Sequence, residues 1–148
     1  MPKTQLLFPQ KIGIIVNLNK KNARDIARTI INELLKIGKN IFVTPKLAEI
    51  INDNRCVIVD SKELHKFVDT IIAVGGDGTF IGIAREYSHY GIKILPVNIG
   101  YLGFLSEITA EQFIDNLEMI NNEGYYIEKR MMLDISTINF NSPAVNEI

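Results

Sequence analysis

The sequence predicts an α/β fold: a parallel sheet with flanking helices, followed by the opening strands of an incomplete β-rich domain. Short apolar runs at 12–16, 71–74 and 92–97 read as strands, and Ile71 to Val74 lack alternation, as expected for a strand covered on both faces. Segments of helical spacing alternate with these runs, the pattern of a parallel sheet. Beyond Gly124 helix markers stop and β-prone residues take over. The expected division is therefore 1–124 and 125–148.

Ile12 to Val16 form the first strand, and Asn17 to Asn22 a polar loop. The next helix has Asn22 as N-cap, Asp25 in its first turn and Gly38 as its stop. Ala23, Ile26, Ala27, Ile30, Ile31, Leu34 and Leu35 recur at helical spacing, so that stripe is core. Ile41 to Thr44 read as a second strand ended by Pro45, and Val57 to Val59 as a third. Leu47, Ile50 and Ile51 mark a short helix between them. After the 71–74 strand a helix is expected from Thr79 to Tyr90, stopped by Gly91, with Ile92 to Val97 as the next strand. Thr109 and Gln112 form a capping-box pair opening a helix that turns Phe113, Ile114, Leu117 and Ile120 inward. In the tail, Leu133 and Ile135 share one parity and Ile138 and Phe140 the other, which predicts a bulge or turn near Thr137.

The 148 residues are 47% hydrophobic and 22% charged, enough for one sizeable core. A net charge of −1 argues against a nucleic-acid surface, which needs clustered Lys and Arg. The densest basic group, Lys20, Lys21 and Arg24, reads as a solvated loop and helix start that is also able to assist phosphate binding. A single cysteine, Cys56, excludes an internal disulfide and sits in an apolar run, where an inert thiol is expected. No apolar stretch approaches the ~20 residues of a membrane helix, and a cytoplasmic setting is expected. His65 and His89 are the only histidines and have no companions at metal spacing, so both are expected on helices at the surface and no metal ligands are assigned. Glu128 and Arg130 are expected to pair structurally.

The functional signal is the run IIAVGGDGTFIG at 71–82. Gly75, Gly76 and Gly78 allow another molecule close to the main chain, and the helix start at Thr79 offers free N–H groups to an anion. No lysine follows the glycines, so this is not a Walker loop. The Gly-x-Gly-x-x-Gly pattern also fails, with Ile81 where its third glycine belongs and Gly82 one place late. Asp77 is the one acid at the turn. From the residues alone it could serve as a general base, bind Mg²⁺ or, as the plain structural role, cap the helix.

GGDGT at 75–79 and NIGYLGFL at 98–105 together resemble the NAD kinase family, and Asn146-Glu147 resembles that family's Asn-Glu/Asp motif. GGDGT alone also resembles loops of diacylglycerol, sphingosine and 6-phosphofructo-kinases; NIGYLGFL separates the chain from the lipid kinases. The resemblance implies a phosphofructokinase-like N-terminal domain that transfers the γ-phosphoryl of ATP to the adenosine 2′-hydroxyl of NAD. It implies Asp77 as catalytic base and Gly75, Gly76, Gly78 and Thr79 as the phosphate cradle. Asn98, Gly100 and Gly103 would form the adjoining wall. Phe104 would lie near the adenine, although a plain core aromatic is the competing reading. Asn146 and Glu147 would hold a ribose hydroxyl or the nicotinamide end of NAD. The resemblance further implies a divalent cation, Mg²⁺, and a homo-oligomer. Members of the family continue past the Asn-Glu motif into a β-rich domain, so the chain is expected to be truncated and its own activity is open. The alternatives are a non-catalytic NAD/ATP-binding fragment, or a kinase of this type acting on a lipid or sugar.

Overall fold

The computed structural model describes residues 5–106, 108–137 and 140–145, the last two strands by their backbone alone. In chain order the elements are β1 (Gln5–Leu6), β2 (Lys11–Val16), α1 (Ala23–Lys36), β3 (Asn40–Val43), α2 (Pro45–Ile51) and β4 (Val57–Ile58). Then come β5 (Thr70–Gly75), α3 (Asp77–Tyr87), β6 (Lys93–Asn98), β7 (Ile108–Thr109), α4 (Ala110–Asp115) and α5 (Leu117–Glu123). β8 (Tyr125–Tyr126), β9 (Met132–Thr137) and β10 (Phe140–Val145) follow. Short 3₁₀ turns at Leu64–Lys66 and Ser88–Tyr90 precede β5 and β6.

Six strands form one parallel sheet in the order β4-β3-β2-β5-β6-β7. The chain winds outward from β2 in one direction, then returns and winds from β5 in the other. The order therefore reverses between β2 and β5, which is where open α/β sheets bind ligands, at the carboxyl ends of the strands. β5 is buried along its whole length. Its side chains divide by parity: Ile72 and Val74 join a core with Ile12, Ile14, Ile30, Leu34 and Phe113, while Ile71 and Ala73 join one with Leu64, Ile83 and Tyr87. Helices thus cover both faces, and the unalternating apolar run is accounted for.

The buried stripe of α1 is as expected, with Ala23, Ala27, Ile30, Ile31 and Leu34 inside and Ile26 and Leu35 half-buried. Gly38 ends the helix in the left-handed region (φ 81): its N–H donates to Leu35 O and that of Lys39 to Leu34 O, the paired bonds of a Schellman stop. Asn22 holds the N-cap position by a different means from the one expected. It adopts φ 62, which asparagine tolerates, and its side chain makes no capping bond. Pro45 opens α2 as well as ending β3, since its missing N–H costs nothing in a first turn.

The Thr109–Gln112 capping box forms in both directions, at 3.1 and 3.0 Å. Thr109→Ala is expected to lower stability by about 1 kcal/mol, read as a shift of the urea midpoint at constant slope. The helix it opens is broken at Asn116, whose side-chain amide donates to Gln112 O and competes with the backbone ladder. β9 and β10 pair antiparallel from Met132↔Val145 to Thr137↔Phe140, and residues 138–139, next to the bulge or turn expected near Thr137, lie outside the described residues. Two short strands escaped sequence reading: β7, which extends the sheet, and β1, which pairs antiparallel with β8. Glu128 and Arg130 form an ion pair at 3.2 Å.

Candidate functional site

The loops after β2, β5 and β6 meet at the reversal point. Gly75 and Asn98 are register partners at the ends of adjacent strands, and the Ile99 N–H donates to Gly75 O at 2.9 Å. On the other side the Asn17 N–H donates to Val74 O at 2.8 Å. The two glycine motifs, 23 residues apart in the chain by these partners, are therefore neighbours because their strands are neighbours.

α3 begins at Asp77, two residues before the expected Thr79. Gly76 is extended (φ −126, ψ −168) and its carbonyl already accepts the Phe80 N–H, so the helix starts immediately after it. Asp77 consequently lies in the first turn, where a negative charge is favoured. It does not cap its own helix. Its carboxylate reaches across to the second glycine loop, Oδ2 accepting the Phe104 N–H at 2.8 Å and Oδ1 the Leu105 N–H at 3.2 Å. The acid of one motif is thus held by the backbone of the other. Each carboxylate oxygen has two acceptor sites, so this clasp leaves one on each for a further donor.

Two of the glycines are explained by crowding within the fold. A Cβ at Gly103 would overlap the Asp77 carboxylate, with Cγ at 2.5 Å. One at Gly75 would overlap Thr79, whose Cβ would be 2.9 Å away, and press on Asn17 at 3.1 Å. Gly76 and Gly78 have no such intramolecular reason. Nothing lies within 4 Å of a Cβ built at Gly78, and at Gly76 only Lys20 does, Nζ at 3.7 Å and Cε at 3.9 Å. Gly100 takes φ 89, a left-handed conformation that favours glycine.

Asn98 is buried at the end of β6 and, with Gly100, borders a cleft of about 390 Å³ against Thr109, Glu111 and Asp115. Phe104 is 96% exposed and Tyr101 likewise, which removes the reading of Phe104 as a core aromatic. Asn146 and Glu147 lie outside the described residues. β10, which leads to them, runs against α3, the helix that carries Asp77. Sequence reading missed the N–H groups of Phe104 and Leu105 as ligands of Asp77. A glycine immediately before them is the only signal that could have suggested so close an approach.

Other groups stand apart. Burial pushes the Cys56 thiol up to about 11, in keeping with an inert core position. His65 and His89 sit in the 3₁₀ turns rather than on α-helices, and both rings pack on Tyr90, His65 stacked at 3.6 Å. Another cleft, about 740 Å³, is lined by Arg28, Asn32 and residues 51–55 and shares no residue with the glycine loops. Its two guanidiniums are engaged, Arg28 with Ile50 O and Arg55 with Asp53 and Asn32. Among the described residues no three His, Cys, Asp or Glu side chains cluster as metal ligands, and no helix is long and apolar enough to cross a membrane.

A doubly wound parallel sheet with a glycine turn, an acid and a helix start at its reversal point is the architecture of the nucleotide-binding α/β domains. Residues 12–126 match the family described as the ATP-NAD kinase N-terminal domain, and the chain belongs to that family. It is 35% identical over 137 residues to the NAD kinase of Caldanaerobacter subterraneus subsp. tengcongensis, covering 93% of this chain and 48% of that protein. It is 36% identical over 125 residues to the NAD kinase of Syntrophotalea carbinolica, covering 84% and 44%. The chain therefore spans about half the length of the curated relatives it matches. The fold is shared with yeast NADH kinase, solved in complex with NADH, at a TM-score of 0.73 and 20% identity over 92% of this chain and 45% of that one.

Proposed function

We propose that this chain carries the catalytic acid and phosphate cradle of an NAD kinase, moving the γ-phosphoryl of ATP to the adenosine ribose 2′-hydroxyl of NAD. The observation that supports this best is the Asp77 carboxylate, fixed between the two glycine loops by the N–H groups of Phe104 and Leu105. A ribose hydroxyl is a poor nucleophile at neutral pH and must lose its proton as its bond to phosphorus forms. Asp77 takes that proton; the bond between the γ-phosphorus and the bridging oxygen breaks, and its electron pair leaves on ADP. Gly75, Gly76, Gly78 and Thr79 hold phosphate oxygens through backbone N–H groups and one hydroxyl. Asn98, Gly100 and Gly103 form the adjoining wall. Phe104, with its face in solvent, is free to stack on the adenine. Asn146 and Glu147 hold the ribose or nicotinamide end of NAD.

The divalent cation belongs to the substrate in this reading. Both Asp77 oxygens already accept backbone N–H groups, and among the described residues no three His, Cys, Asp or Glu side chains cluster as metal ligands. Mg²⁺ retains much of its water and is bound largely through substrate phosphates, so it arrives on ATP. A homo-oligomer, a cytoplasmic setting and a domain boundary at 124/125 belong to the same proposal.

The test is ATP-dependent NADP formation by the 148-residue chain, beside equilibrium binding of NAD and a panel of lipid and sugar acceptors. Turnover on NAD alone is the expected result. Binding of NAD without turnover would make the chain a nucleotide-binding module, and phosphorylation of another acceptor would overturn the assignment of NAD.

A further inference from the structure

We infer that Lys20 is the positioning residue for the phosphates of the donor, an inference that rests on the kinase reading above. Gly75 and Gly103 are required by their neighbours in the fold, whereas Gly76 is not. Its backbone is extended, a conformation open to any residue, and a Cβ there would make only ordinary contact. Beyond its chain neighbours, the described atoms within 4 Å of where that Cβ would stand belong to Lys20, its ammonium at 3.7 Å. The main chain from which that side chain springs is fixed in a turn: the Lys20 N–H donates to Asn17 O and its carbonyl accepts the Ala23 N–H, each at 3.2 Å. Among the described residues no carboxylate pairs with its side chain, whereas Lys36, Arg55, Lys66 and Arg130 each have one.

A free ammonium facing a bare stretch of backbone beside a helix start is suited to a phosphate oxygen held between them. The ammonium is a compact point charge with three donors, able to follow a phosphate as it moves. It also answers an electrostatic difficulty of the site. Asp77 brings a negative charge to the first turn of α3, and a polyphosphate approaching the same turn is repelled by it unless a cation stands on the other side. Lys20 comes from the loop after β2, the strand across the reversal point from the one that delivers Asp77. During transfer it makes and breaks no bond and offsets the charge carried by the phosphate oxygens.

The experiment is calorimetric titration of the 148-residue chain with MgATP and, separately, with inorganic tripolyphosphate. Lys20→Met is expected to weaken both about ten- to hundredfold, the loss of one charge-assisted contact. Lys20→Arg is expected to restore binding to within about threefold of the parent, because the charge is kept although its shape differs. Lys46→Met, at an exposed lysine on α2 outside this basic group, is expected to change binding less than about twofold and serves as the control for net charge. Melting temperatures should match the parent throughout, since Lys20 is exposed and no ion pair among the described residues involves it. If the parent binds and Lys20→Met binds within twofold of it, the role assigned to Lys20 is wrong and the kinase reading stands. If the parent binds neither ligand, the donor site itself is wrong and both fall.

Discussion

Asp77→Asn is expected to lower ATP-dependent NADP formation by about 10² or more, the usual worth of a positioned general base. The structure adds a cost that the sequence did not foretell. Both carboxylate oxygens accept a backbone N–H from the second glycine loop. Asparagine has one acceptor oxygen, so either the Phe104 or the Leu105 N–H then faces an amide that can only donate. The expected loss is about 1–2 kcal/mol, below the upper range for a charged partner, because Phe104 is exposed and water can take its N–H. Rate and stability therefore have to be read together, with turnover measured well below the melting transition. A variant that remains folded and keeps turnover within about threefold of the parent would remove Asp77 from the chemistry, because general-base help is worth far more than that.

The sheet was legible because its signals are local and redundant. β5 is written as four consecutive apolar residues, α1 as a stripe with a glycine stop, and α4 as a capping box, and each pattern has one easy physical solution. The two strands that escaped, β1 and β7, are two residues long, and the partner of β1 also lies far along the chain. Nothing in Gln5-Leu6 announces Tyr125-Tyr126, and a two-residue strand carries too little alternation to be seen alone. The start of α3 was displaced by two residues because glycine and aspartate are poor helix formers in isolation. Tertiary bonds from Asp77 to the neighbouring loop offset that preference. The site was legible as two motifs but not as one object. That Asp77 is fixed by residues 27 and 28 positions later follows from strand order, which the sequence implies only through the complete winding. Lys20 illustrates the same limit. As one of three basic residues across a polar loop and a helix start it was indistinguishable from a solvated charge, and the sheet alone places it over Gly76.

Gly103→Ala is expected to reproduce the rate loss of Asp77→Asn without altering any chemical group of the site. The added methyl would occupy the place of the Asp77 carboxylate, whose Cγ would be 2.5 Å away, closer than carbon atoms approach. A carboxylate is the end of a short side chain and yields more readily than backbone, so the expected response is rotation of Asp77 rather than collapse of the loop. Rotation breaks the bonds to the Phe104 and Leu105 N–H groups and carries the base away from the acceptor hydroxyl. A displacement of about 1 Å at a reacting centre is enough for a 10²-fold loss. Stability should fall by only about 1–3 kcal/mol, two exposed or half-exposed hydrogen bonds regaining water as partners. The decisive comparison is the double variant. If both changes act through one carboxylate, Asp77→Asn with Gly103→Ala should be no slower than the worse single variant, since a base already removed cannot be misplaced. Rate losses that multiply instead would mean that the second glycine loop acts on turnover by a route independent of Asp77, and the clasp between the two motifs would then be scaffold alone.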